Sequence, residues 1–327
     1  MTALLFFVLL LVLAAEFVNG FHDASNAIAT VVSTRVLSPR VAILMATVFN
    51  AVGAFSGTAV AATIGKGIVD AHAISLVTVA AAMVAIVVWD VLTWYYGLPT
   101  SSSHALVAGL SGAGLAGAGP SVLLWEGWRK VLIGLLFSTF LGFFAGFFLI
   151  WLIVWTCRGW TPGRVRTVFG RLQVFSAVFM AFSHGSNDGQ KFIGVFTLAL
   201  VLGGVLPEFH PSFGVVLLCS ITMGLGTSVG GWRIIRTMGM KIARLEPYHG
   251  FAAETAAGTA IELASRLGIP LSTTHTINTA IMGVGSSRRL SAVRWGVVGD
   301  VVTAWILTFP VCGAIGWAVA AVLAKLL

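Results

Sequence analysis

Charge is what this sequence has least of. Only 9% of its 327 residues are Asp, Glu, Lys or Arg, against about 25% in an ordinary soluble domain. That shortage excludes a water-dissolved enzyme or a secreted module. Cysteine is scarce too: Cys157, Cys219 and Cys312 are odd in number, far apart, and without the paired spacing of a zinc site or a disulfide framework. They receive no role. The chain also lacks a Gly-x-Ser-x-Gly elbow, a Gly-Lys-Ser phosphate loop and a His-Glu-x-x-His helix, so no catalytic constellation, metal site or cofactor site is legible. It has no soluble domain that could hydrolyse ATP. Uphill movement of a solute would therefore draw on an ion gradient or on partner subunits.

What is present points to lipid. The 58% hydrophobic content, a mean hydropathy of +0.98, 38 Gly and 11 Trp suit helices packed closely in a bilayer with aromatic residues at the headgroups. A formal charge of +8 would suggest a nucleic-acid partner in a soluble chain. Here most Lys and Arg fall in short gaps between apolar runs, where they set orientation, and no basic stripe remains for DNA. The apolar run from Ala3 to Ala15 has no Lys or Arg before it and passes straight into a polar cluster. It reads as a retained membrane segment, not a cleaved signal peptide.

The chain reads as two copies of one pattern. Gly20-Phe21-His22-Asp23-Ala24-Ser25-Asn26-Ala27 has a counterpart in Gly185-Ser186-Asn187-Asp188-Gly189-Gln190-Lys191-Phe192, with the aspartates in register. Gly97-Leu98-Pro99-Thr100-Ser101-Ser102-Ser103-His104 likewise matches Gly268-Ile269-Pro270-Leu271-Ser272-Thr273-Thr274-His275. Residues 1–157 and 171–327 are equal in length and flank a basic linker, 158–170, with Arg158, Arg164 and Arg166. Two motifs in the same order within equal halves argue for a duplicated transporter architecture.

A spanning helix needs about 20 apolar residues. The first half offers runs near 2–33, 41–62, 73–96, 100–118 and 131–156, and the second near 171–204, 212–232, 250–266, 270–286 and 295–326. The expected fold is therefore an all-α polytopic membrane protein of two repeats, about five membrane segments each. An odd number inverts the second copy relative to the first. With both termini outside, the inner loops carry Arg35, Arg40, Arg158, Arg164, Arg166, Arg171, Arg233, Arg236, Lys241, Arg244, Arg288, Arg289 and Arg294, against Lys66, Arg129, Lys130, Arg266 and Lys325 outside. That asymmetry follows the positive-inside rule. The first and last runs of each half exceed one simple crossing, so broken, tilted or re-entrant helices are expected.

Polar residues at membrane depth are the candidate site. Asp23 lies among apolar neighbours, where a carboxylate costs several kcal/mol unless paired or protonated. Asn19, His22, Ser25 and Asn26 surround it, and Gly20 is expected to break the helix and free backbone groups as ligands. A polar seam that only holds helices together would use the same residue types. Recurrence around Asp188, with Ser183, His184, Ser186, Asn187, Gln190 and Lys191, favours function. Pro99 and Pro270, each followed by hydroxyl residues, read as helix N-termini, where free N–H groups, the dipole and side-chain hydroxyls favour an anion such as phosphate or sulfate. His104 and His275 either donate to that anion or bond a nearby carbonyl. Glu16, Asp90, Glu254, Glu262 and Asp300 either relay protons or pair across helices, Asp90 and Glu262 being the better placed for a proton path. Trp89, Trp94, Trp125, Trp128, Trp151 and Trp155 are read as interface anchors.

These motifs carry a resemblance. Asn19-Gly20-Phe21-His22-Asp23-Ala24-Ser25-Asn26-Ala27 and Ser183-His184-Gly185-Ser186-Asn187-Asp188-Gly189-Gln190-Lys191 resemble the paired signature of the inorganic phosphate transporter (PiT) family, Gly-Ala-Asn-Asp-Val-Ala-Asn-Ala once per half. The Pro99 and Pro270 segments are similar to its second repeated element. The resemblance implies an inverted-repeat fold in the cell membrane, cation-coupled phosphate symport and a homodimer. Carried over residue by residue, it assigns Asp23, Asn26, Asn187 and Asp188, with His22, to the coupling cation. Ser101, Ser102, Ser272, Thr273 and Thr274, with Ser25, Gln190 and Lys191, go to phosphate. Two departures stand out: His22 replaces the usual Asn, and Lys191 stands where the first half has Asn26. His22 resembles the proton-coupled bacterial branch, whose substrate includes a neutral metal–phosphate complex, more than the sodium-coupled branch. Some relatives of the family move sulfate. A passive anion channel is the rival from another class, but it has no need for two buried aspartates.

Overall fold

The computed structural model describes residues 2–287 and 289–326, which leaves Arg288 of the expected inner loops outside the described residues. Twelve helices carry almost all of them. In the first half these are α1 (Ala3–Ser33), α2 (Pro39–Ala54), α3 (Ala59–Gly67), α4 (Leu76–Tyr96), α5 (Ser102–Ala118) and α6 (Trp125–Thr156). The second half has α7 (Pro162–Leu202), α8 (Phe213–Val229), α9 (Trp232–Arg236) running into a π-helical turn Thr237–Lys241, α10 (Pro247–Arg266), α11 (Thr273–Ser286) and α12 (Trp295–Leu326). The order repeats helix for helix. α7 starts at Pro162 behind the cap Thr161, so most of the basic segment 158–170 is its first turns.

Five helices, α1, α4, α6, α7 and α12, are long and apolar enough to cross a membrane. Two bent pairs bring the number to as many as seven: α2 with α3 at 69°, and α8 with α9 and its π turn at 60°. The remaining elements are short or polar. α5 and α11 have 17 and 14 residues, less than the roughly 20 a crossing requires, and α10 carries Glu254, Glu262 and Arg266. The protein is a multi-pass membrane protein whose breaks fall in α2/α3 and α8/α9.

Gly20 does not break its helix. α1 is continuous from Ala3 to Ser33, and α7 runs unbroken through Gly185. The glycines are used for close approach. A Cβ on Gly20 would lie 2.5 Å from the Met223 carbonyl oxygen of α8, and one on Gly185 would lie 2.0 Å from that of Asn50 in α2. Small residues let helix backbones meet in this way. The packing is reciprocal: α1 lies on α8 and α7 on α2, while α5 packs on α12 and α11 on α6. Each half is thus completed by the other. Gly97 and Gly268, with φ of +69° and +66°, end α4 and α10 in the left-handed region that glycine adopts without strain, and so aim the chain into α5 and α11.

Candidate functional site

The middle of α1 and of α7 is buried on every side, because helices of both halves close on it. Asp23 and Asp188 are 2% and 1% exposed, and Asn26, Asn187, His22, His184 and Lys191 are at most 1% exposed. Neither aspartate faces lipid. Asp23, His184 and Asp188 each turn one ligand atom into a cluster no more than 4.8 Å across. Two carboxylates so close in a low-dielectric interior repel strongly unless a cation or proton intervenes.

The surroundings of the two aspartates differ. Asp23 Oδ1 faces His22 Nδ1 at 2.7 Å, and His22 Nε2 reaches the hydroxyls of Thr93 at 3.1 Å and Thr100 at 3.3 Å. Asp188 Oδ1 accepts from the Lys191 ammonium, and Asp188 Oδ2 accepts from Thr273 Oγ1 at 3.0 Å. Lys191 also donates to Ser103 Oγ and, at 3.3 Å, to the Leu271 carbonyl. Its three N–H groups are thereby matched. His184 Nε2 stands 3.2 Å from Asp188 Oδ2 without the alignment of a hydrogen bond. Its Nδ1 meets Asn50 Oδ1 at 3.1 Å, and Asn50 in turn donates to Thr227. That orients the imidazole with Nδ1–H toward Asn50 and Nε2 toward the carboxylates.

The hydroxyl elements meet this cluster from the opposite side. Ser101 and Ser272 are N-caps, accepting from the backbone N–H of His104 and His275. Pro99 and Pro270 lie two residues before the caps, so the helix N-termini expected at the prolines begin at Ser101 and Ser272. The first intrahelical bonds are made by Ala105 and Thr276, so the N–H groups of Ser102, Ser103, Thr273 and Thr274 precede them. Ser102 donates to Asp90 Oδ2 at 2.7 Å. Asn26 Nδ2 donates to Thr274 Oγ1 at 2.9 Å and Thr273 Oγ1 at 3.3 Å. The first-half signature thus touches the second-half hydroxyls, while Lys191 of the second touches Ser103 of the first.

Other expected members are engaged elsewhere. Ser25 donates back to the His22 carbonyl at 3.3 Å. Gln190 accepts from Val60 N–H at the start of α3 and donates to the Ser186 carbonyl. Asn187 donates to Ser265 and the Ile269 carbonyl, bracing the turn before α11. His104 and His275 bond no carbonyl: their rings meet edge to face with centroids 4.8 Å apart, and none of their four ring nitrogens has a hydrogen-bond partner among the described residues. The two rings pack on each other across the halves.

The unsorted acids now separate. Asp90 joins the site through Ser102, whereas Glu262 pairs with Arg266 and accepts from Ser186. Glu254 is held in a separate buried knot by Thr30, Gln173 and Ser176. Glu16 accepts from Asn19, and Asp300 is exposed. Trp89 is buried and donates to Thr308, so it is not an interface anchor; Trp125, Trp151 and Trp155 are exposed as expected. Sequence reasoning passed over Ser103, Thr93 and Thr100 as site residues. For Ser103 the signal was there, since it is the register partner of Thr274.

The profile described as "Phosphate transporter family" matches this chain twice, over residues 19–162 and 156–316. A probable low-affinity inorganic phosphate transporter of Rhizobium meliloti (strain 1021) is 44% identical over 92% of this chain and 90% of its own. One from Bacillus subtilis (strain 168) is 39% identical, over 93% and 92%. A solved structure described as "The sodium-dependent phosphate transporter" superposes over 100% of both chains with a TM-score of 0.91 at 26% identity.

Proposed function

The chain belongs to the phosphate transporter family, whose members are transporters and not enzymes, and from that premise we propose that it moves inorganic phosphate by proton-coupled symport. In this reading the phosphate sits between the N-termini of α5 and α11, met by their free N–H groups and by Ser101, Ser102, Ser272, Thr273 and Thr274. Lys191 offsets the charge of Asp188 at the anion's side, and Ser25 and Gln190 hold the flanking helices. Asp23, Asn26, Asn187 and Asp188, with His22, form the cation side. The two halves are inverted repeats, 1–157 and 171–327, on either side of the 158–170 segment. Crossed contacts such as Asn26 to Thr274 and Lys191 to Ser103 support a site between them near mid-membrane. A plasma-membrane homodimer with both termini outside belongs to the same reading.

The observation that carries the coupling is the proximity of Asp23 and Asp188, since Lys191 offsets one of the two carboxylates and a phosphate cannot approach the other unless a positive charge arrives with it. Protons are favoured by His22, whose imidazole bridges Asp23 to two hydroxyls and is the side-chain type that exchanges a proton near neutral pH. Sodium is the second reading, favoured by Asn26 Oδ1, a buried oxygen with no partner among the described residues, and by the likeness to a transporter that is itself sodium-dependent. Uptake of radiolabelled phosphate into proteoliposomes separates them. Faster uptake on acidifying the outside without sodium, at constant membrane potential and after correction for phosphate's own protonation, is the expected result. Uptake that requires sodium and ignores an imposed pH gradient overturns the proton, and uptake indifferent to both gradients overturns symport.

A further inference from the structure

The register of the two signatures sets Asn26 against Lys191, and the fold keeps that equivalence in space. Asn26 Nδ2 bonds Thr274 of α11. Lys191 Nζ bonds Ser103 of α5, and Ser103 and Thr274 hold the same place in the hydroxyl motif. The two side chains therefore occupy corresponding seats, each one helical turn beyond its own aspartate and on the same face.

The seats are filled differently. In the second half the ammonium meets Asp188 Oδ1, Ser103 Oγ and the Leu271 carbonyl, and Ser103 spends its own proton on that carbonyl at 3.1 Å. Thr273 takes the other oxygen of Asp188. A carboxylate, a hydroxyl and a backbone carbonyl are the oxygen ligands that a hard monovalent cation would use, and here a tethered cation already holds them. In the first half Asn26 Oδ1 is buried without a partner among the described residues. The positive charge available beside Asp23 is that of His22 and of His184, whose Nε2 faces both carboxylates; each carries a removable proton, where Lys191 carries a permanent one.

We infer that Lys191 is a built-in cation occupying the second half's ion position, so that the protein loads its mobile coupling ion in the first half alone, at Asp23. This rests on the symport reading above and specifies its ion count. Charge balance follows: Asp188 with Lys191 is neutral, and one mobile cation neutralises Asp23 when the anion enters. Without Lys191, Asp188 would need a second mobile ion for phosphate to bind.

The test is the number of ions linked to phosphate binding, read as the slope of log Kd for radiolabelled phosphate against log concentration of the coupling ion in purified, detergent-solubilised protein. The slope, negative because the ion tightens phosphate binding, should be steeper by one in Lys191→Asn than in the parent. In voltage-clamped proteoliposomes under a tenfold ion gradient, the phosphate ratio at zero net flux should be about tenfold larger in the variant. Equal slopes overturn the inference. So does a Lys191→Asn protein that elutes as the parent does but binds no phosphate even at saturating ion, which would make the ammonium a direct phosphate ligand. Lys191→Gln carries the same test if Lys191→Asn does not reach the membrane. A parent protein whose phosphate binding has no ion dependence at all sinks the symport reading itself, and is told apart because the parent alone shows it.

Discussion

The two halves agree in backbone and disagree in chemistry. Both have a long helix whose glycine admits a neighbour's carbonyl, Gly20 beneath Met223 and Gly185 beneath Asn50. Both turn into a short, hydroxyl-capped helix through a left-handed glycine, Gly97 or Gly268. Yet Asp23 is paired with a histidine that joins it to Thr93 and Thr100, and Asp188 with a lysine locked into three acceptors. Close backbone contacts tolerate almost no added atom, so duplication preserves them. A polar seat accepts any side chain that satisfies its partners, and there the copies have diverged.

The largest expected effect separates the aspartates. Asp188→Asn should abolish coupled uptake and also destabilise the protein by about 3–5 kcal/mol, the usual cost of leaving one member of a buried ion pair uncompensated. Asp23→Asn should abolish uptake with a much smaller change, because an asparagine oxygen still accepts from His22. Thermal unfolding in detergent beside proteoliposome uptake reads both. Equal stability losses would mean the halves are electrostatically alike.

Next comes the anion side. Alanine at Ser101 with Ser102, or at Thr273 with Thr274, removes two bonds to a charged group worth about 1.5–3 kcal/mol each. Phosphate binding should weaken at least about a hundredfold, at 1.4 kcal/mol per decade, with expression less affected. A pair that leaves affinity unchanged takes its helix out of the site and makes the two halves unequal there as well.

Smaller again is the packing effect. Gly185→Ala and Gly20→Ala should each cost about 1–3 kcal/mol by overpacking. Gly185→Ala should be the worse, since its Cβ would stand 2.0 Å from a carbonyl oxygen against 2.5 Å at Gly20. Reversal of that order in thermal denaturation would show that α8 gives way less readily than α2. The smallest effect concerns His22→Asn, which is expected to change the pH profile of uptake, flattening its response to outside acidification, even where transport survives. A profile identical to the parent's would move the exchangeable proton away from this half.

Sequence alone determined the membrane class, the duplication and the identity of most polar residues at depth. Low charge and high hydropathy force burial in lipid whatever the packing, and a repeated motif declares itself by spacing. The aspartates, Asn26, Lys191 and the hydroxyl caps were legible for that reason, including the mismatch at position 191. Tertiary structure decided who faces whom. That Gly20 serves contact and leaves α1 whole, that His104 and His275 pack on each other, and that Gln190 braces α3 depend on helices distant in the chain. Only the reciprocal packing of the halves shows that Lys191 is matched to Ser103 while Asn26 Oδ1 has no partner among the described residues. A hydrogen-bond partner is chosen by position in space, and position across the halves is set by backbone approach, which a linear string does not record.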